Sequence, residues 1–130
     1  MRILYIHQYF TLPAAAGGTR SYDLSKRFTQ AGHKVIVITS SSFLKKVHEF
    51  SKGWTVLDQE GIELHVLNVE YSNKMSFSKR IIAFFKFLVF ASLRTFKVKA
   101  DVILATSTPI TVAIPAITAK IFKRVPFIFE

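Results

Sequence analysis

Apolar residues along this chain follow two rhythms, and their alternation sets the expected fold. Arg2 to Tyr9 places Ile3, Leu4, Tyr5 and Ile6 in an unbroken run. Such a run suits a strand covered on both faces, as in a parallel sheet. From Thr19 the period changes, and Leu24, Phe28 and Ala31 fall at i, i+4 and i+7 on one face of a helix. Gly32 stands where a left-handed helix stop is needed, and Val35 to Ile38 resumes a buried strand. Strand, loop, helix and strand at this length form a βαβ unit with a right-handed crossover.

The pattern continues downstream. Ser40-Ser41-Ser42 opens a polar stretch punctuated by Gly53, Asp58 and Gly61, with a short strand near Trp54 to Leu57 and Trp54 as a packing residue. Ile62 to Val69 alternates apolar and polar, which predicts a third strand with His65 in its polar phase. Tyr71 to Ala100 holds a long segment without a helix breaker in its core, and Asp101 to Thr106 is a fourth strand. Thr108 can then cap a helix with Pro109 as its first residue. Ile110, Ala113, Ile114, Ile117 and Ile121 supply that helix's expected buried face, with a kink at Pro115, and Lys120, Lys123 and Arg124 complement its C-terminal dipole. Val125 to Phe129 is a fifth strand. The expected fold is α/β: a parallel sheet in the order 3-2-1-4-5 with helices on both faces. A domain ending on a strand without its covering helix reads as incomplete.

Charge adds the next constraint. The chain of 130 residues carries a net charge of +10, which suggests nucleic acid, an anionic membrane or a phosphorylated ligand as partner. Between Glu70 and Asp101 there is no acidic residue but seven basic ones, and five phenylalanines lie within Lys79 to Lys99. On a helical wheel of about 100° per residue, Lys79, Lys86 and Lys97 nearly superpose, with Arg80 and Arg94 to one side. A basic stripe beside a broad aromatic face describes a helix lying in a membrane interface; an ordinary packed helix with solvated lysines is the alternative. Lys86 and Arg94 interrupt the apolar run too early for a membrane span. No nucleic-acid-binding motif accompanies the charge. Without cysteine there is neither a disulfide framework nor a thiolate site, and four scattered histidines lack ligand spacing, so no metal is expected. The N-terminus lacks the features of a signal peptide, which points to the cytoplasm.

Candidate chemistry gathers at the carboxyl ends of the strands, where open α/β sheets bind ligands. His7, Gln8 and Tyr9 lie there, together with Gly17 and Gly18. The glycine pair serves either the turn alone or the close approach of a ligand. In the second case the helix behind it offers free N–H groups to an anion, with Thr19 and Arg20 adding a hydroxyl and a guanidinium. At Gly18 a positive φ and a close ligand approach are expected, so valine there would interfere. Thr106, Ser107 and Thr108 serve as capping groups and also face the same crevice. The loop matches neither G-x-G-x-x-G nor the P-loop, which disfavours a dinucleotide or flavodoxin-like reading.

MRILYIHQYF…GGTRSYDLSKRFTQAGHKVIVIT resembles the opening of family 4 glycosyltransferases, retaining enzymes of the GT-B architecture. The likeness extends to the basic aromatic segment, DVILATSTPITVAIPA and VPFIFE, and points to the bacterial branch that builds O-antigen, capsule and colanic-acid-type polysaccharides. It implies that residues 1–130 are the Rossmann-like, acceptor-side half, with the C-terminal donor-binding domain and its paired glutamates outside the chain. It further implies a nucleotide-sugar donor whose diphosphate meets Gly17, Gly18, Thr19 and Arg20, and a lipid-linked saccharide acceptor near His7, Gln8, Tyr9, Thr106, Ser107 and Thr108. The location implied is the cytoplasmic face of the membrane, with Lys79, Arg80, Lys86, Arg94 and Lys97 on the lipid side. Neither a metal nor another cofactor is implied, and the chain alone is expected to be inactive. Many relatives carry a histidine after the fourth strand; here that region is Thr106-Ser107-Thr108-Pro109, so no catalytic residue is assigned. The alternative is a non-catalytic module that keeps membrane or acceptor affinity.

Overall fold

The computed structural model describes every residue except Thr108, so the expected cap at that position lies outside the described residues. Its strands are β1 (Arg2–Ile6), β2 (Lys34–Ser40), β3 (Trp54–Gln59), β4 (Ile62–Leu67), β5 (Val102–Ala105) and β6 (Phe127–Phe129). The helices are α1 (Arg20–Gln30), α2 (Phe77–Lys97) and α3 (Ala113–Lys123). The sheet runs β3-β4-β2-β1-β5-β6. Five strands are mutually parallel in the order predicted from sequence, since β4, β2, β1, β5 and β6 are respectively the third, second, first, fourth and fifth strands of that reading.

The sixth strand is the short one expected near Trp54 to Leu57, and the structure places it at the edge of the sheet. β3 pairs antiparallel to β4 through a two-residue turn at Glu60 and Gly61, whose φ values are 52° and 85°. Two left-handed residues give a type I′ turn, whose twist matches the strands it joins. Glutamate is an unusual first residue for that turn, so the sequence signal was weak. Asp58 Oδ1 accepts from the Gly61 N–H at 3.0 Å and holds the turn closed.

Alternation along β1 and β2 divides the core in two. Ile3, Tyr5, Val35 and Val37 face α1, with Tyr22, Leu24 and Phe28 packed on them. Leu4, Ile6, Ile36 and Ile38 face α2 and α3. The α1 helix ends in a Schellman motif. The Gly32 N–H donates to Thr29 O and the His33 N–H to Phe28 O, with Gly32 at φ 87°. Ala31 is exposed in that motif, and the buried face of α1 is completed by Ser21, Tyr22 and Ser25.

The α3 helix departs from expectation. Ile110 to Val112 forms a 3₁₀ turn with Pro109 as its cap, and Ala113 begins the α-helix. Pro115 sits in the first turn, where its missing N–H interrupts no intrahelical bond. Val112, Pro115, Ala116 and Ala119 are buried, whereas Ile114, Ile117 and Ile121 are exposed. Small residues win the inner face because α2 and α3 lie side by side, with Ala83, Ala91, Ala116 and Ala119 sharing one core cluster. Lys123 completes the junction by donating to Thr95 O at 2.8 Å and Val98 O at 2.7 Å, carbonyls at the C-terminal end of α2.

Candidate functional site

The βαβ start brings together side chains more than a hundred residues apart in sequence. Tyr5 points from β1 toward α1, and its hydroxyl lies 3.2 Å from Ser21 Oγ and 2.8 Å from Thr106 Oγ1. Ser21 Oγ is in turn 2.8 Å from His7 Nδ1. On the other side, Thr106 donates to Glu130 Oε1 at 3.0 Å. The Glu130 carboxylate also pairs with Arg20 at 2.5 Å, and its backbone carbonyl accepts the Ser107 N–H at 2.6 Å. A continuous line of hydrogen-bonding groups thus joins an imidazole to a carboxylate across the carboxyl ends of β1, β5 and β6.

Burial pushes the His7 pKa down to about 4, and Arg20 adds to the effect while Glu130 opposes it. His7 is therefore neutral at pH 7, able to donate from one ring nitrogen and accept at the other.

The glycine loop opens beside this line. Thr19 precedes α1, but its hydroxyl turns to Asp23 Oδ2 at 2.8 Å and caps no backbone N–H. The helix's first N–H groups are left without that side-chain acceptor, and they carry the positive end of its dipole. Gly18, Thr19, Arg20 and Leu24 line an open depression there. The expectation for Gly18 is corrected. The left-handed conformation belongs to Gly17, at φ 135°, where an added Cβ would stand 3.1 Å from Thr11 Cγ2. A Cβ on Gly18 would meet nothing within 4 Å. Gly18 faces open space, and Thr11 Oγ1 holds its carbonyl at 2.5 Å.

The crevice residues expected from sequence separate into two groups. His7, Thr106 and Ser107 meet at the line described, and Thr108 is outside the described residues. Gln8 instead points inward. It is fully buried, its amide atoms have no hydrogen-bond partner among the described residues, and its carbonyl accepts from Ser40 Oγ at 2.6 Å. Tyr9 turns away toward Phe43 and Tyr71, with ring centroids 5.5 and 5.0 Å distant. Tyr5, Ser21 and Glu130 are the members sequence reasoning missed. The parity of β1 puts Tyr5 and His7 on one face, and that signal could have found the first.

The basic stripe of α2 also separates. Lys79, Lys86 and Lys97 are exposed, while Arg80 is half-buried. Arg94 turns inward, donating to His65 Nδ1 at 3.0 Å and lying 5.0 Å from the centre of the Trp54 ring. Burial holds His65 below its ordinary pKa although Glu63, 2.7 Å from Nε2, pulls the other way. The neutral ring then donates through Nε2 and accepts from Arg94, which fits both distances.

No family of known proteins and no curated protein matches the chain. Among solved structures it is similar to the C-terminal domain of a hydrogenase from Pyrococcus furiosus. The TM-score is 0.66 at 15% identity, over 99% of this chain and 90% of that domain. The fold is Rossmann-like. It is also similar to a trehalose-6-phosphate protein from E. coli bound with UDP-2-fluoro glucose, at a TM-score of 0.48 and 12% identity. That match covers 82% of this chain and 27% of the E. coli protein. At such identities the likeness concerns the fold alone.

Proposed function

We propose that this domain forms one wall of a sugar-transfer site. In this reading a nucleotide-sugar is the donor and a lipid-linked saccharide the acceptor, in cell-surface polysaccharide synthesis. The observation that carries the reading is the open N-terminus of α1 behind Gly17 and Gly18, placed beside the His7-to-Glu130 line. Sugar transfer from a nucleotide leaves a diphosphate whose charge must be met by preorganised donors. The backbone N–H groups of α1 and the Arg20 guanidinium are such donors, and open space at Gly18 lets the phosphates approach the backbone. Arg20 meets Glu130 through one terminal nitrogen, so other N–H groups of the same guanidinium can take a phosphate oxygen. Neutral His7 and Thr106 would hold sugar hydroxyls by hydrogen bonds. The transfer needs no metal in this reading. A second domain supplies the opposite wall and the grip on the nucleoside, so the chain alone binds without turnover.

The test is amide NMR of the full chain titrated with UDP, GDP and dTDP and their sugars. Shifts should centre on Gly17, Gly18, Thr19 and Arg20, saturate with at least one nucleotide, and vanish when Arg20→Ala is combined with Gly18→Val. No nucleoside diphosphate release should accompany them. A folded chain that none of these nucleotides perturbs refutes the reading and leaves a non-catalytic binding module.

A further inference from the structure

The layer formed by α2 and α3 has two greasy sides. One packs on the sheet. On the other, Ile82, Phe85, Val89 and Leu93 recur every three or four residues along α2, with Phe85 63% exposed and Leu93 56%. Ile114, Ile117, Ile121 and Phe122 do the same on α3, where Ile121 is 65% exposed and Phe122 72%. The two stripes are continuous, because Phe96 of α2 meets Phe122 of α3 edge to face at 5.6 Å. Large apolar surfaces of this kind mark a docking face rather than ordinary scatter.

Charge decides what docks. Lys79, Lys86 and Lys97 stand exposed on α2, with Lys120 and Arg124 at the end of α3. Between Glu70 and Glu130 the sequence holds one acidic residue, Asp101, and it is paired with Arg2 on the sheet at 3.0 Å. A second copy of the chain laid on this face would bring like charges together, which opposes association. An anionic bilayer satisfies both features, taking up the apolar side chains and attracting the lysines at its headgroups. No helix among the described residues is long and apolar enough to cross a membrane, so the layer would lie in the interface.

We propose that the α2–α3 layer is a bilayer-binding surface for anionic phospholipid, in which the isoleucine face of α3 is as necessary as α2. The inference stands independently of sugar transfer.

The experiment is flotation of the full chain with phosphatidylcholine vesicles, with and without phosphatidylglycerol. The parent should float with the anionic vesicles, and more weakly as salt rises. Ile117→Ser with Ile121→Ser should lower the partition by about tenfold or more, as should Phe85→Ser with Leu93→Ser. Lys86→Gln with Lys97→Gln should lower it about fivefold per lysine, and only where phosphatidylglycerol is present. An α3 variant that is folded and floats like the parent overturns the proposal. So does a parent that ignores vesicles and forms a dimer which the α3 substitutions dissolve. Should either serine pair unfold the domain, the lysine pair decides alone: unchanged partition on anionic vesicles overturns the proposal.

Discussion

Replacing His7 by asparagine should remove an acid-sensitive weakness from the fold. In the native chain, burial lowers the His7 pKa from 6.5 to about 4. Below pH 6.5 the unfolded chain binds a proton that folded His7 refuses until about pH 4. Stability therefore falls as the pH falls through that window, and the contribution is flat above it. Each unit of pH inside the window is worth about 1.4 kcal/mol, so between neutral pH and about pH 4.5 the parent should lose roughly 2.5 kcal/mol through this one group. His7→Asn cannot titrate, and its amide is placed to retain a bond to Ser21. The assay is urea unfolding of both proteins near pH 7 and near pH 4.5, taken as a double difference so that every shared group cancels. The parent should lose about 2.5 kcal/mol more than the variant over the interval. Equal losses would refute the reasoning, as would an NMR titration placing the His7 midpoint at or above its ordinary value.

Gly17→Ala should destabilise the fold by about 1–3 kcal/mol through its left-handed backbone and its crowding against Thr11, whereas Gly18→Ala should change the unfolding midpoint little; equal midpoints for the two variants in urea would contradict the assignment. Phe87 is fully buried between α2 and the sheet, and Phe87→Ala should cost about 3–5 kcal/mol by leaving a cavity in that layer. A loss below about 1 kcal/mol in the same assay would show that α2 is only loosely seated.

The order of the five parallel strands was legible because four are compact apolar runs, the other alternates, helices separate all but the second and third, and few topologies satisfy right-handed crossovers. The helix faces were harder. A periodic reading assigns the largest apolar residues to the core, and it put Ile110, Ile114, Ile117 and Ile121 there. The structure buries Ala116 and Ala119 instead, because close packing against α2 rewards small side chains, and nothing local in the sequence announces that neighbour. The site was legible in its backbone parts and opaque in its side chains. Gly17, Thr19 and Arg20 follow from the strand–loop–helix pattern. The meeting of Tyr5 and Ser21 with Thr106 and Glu130 depends on β1 lying beside β5, and β5 beside β6, which only the sheet order supplies. Arg94 shows the limit of a helical wheel, since a long side chain reaches around to His65 and Trp54 from a position that looks solvent-facing.

The two borders of the sheet differ in how they treat an approaching chain. At the β3 border the outermost strand is six residues long, is held by a closed turn, and ends in Asp58 and Gln59. Charge and twist there discourage a foreign strand from adding on. At the β6 border the outermost strand is the three-residue run Phe127–Phe129, paired to β5 on one side and carrying exposed Ile128 and Phe129. Its outward N–H and C=O groups form a short template between aromatic side chains, with no charge within the strand to repel a newcomer. Growth of the sheet, whether by a legitimate neighbouring strand or by aggregation, is therefore directional. It proceeds from β6 and leaves the β3 border untouched; Pro126 and Glu130 bond to β5, so by alternation the Phe129 N–H faces outward, and Phe129→Pro is the substitution that would close the sheet.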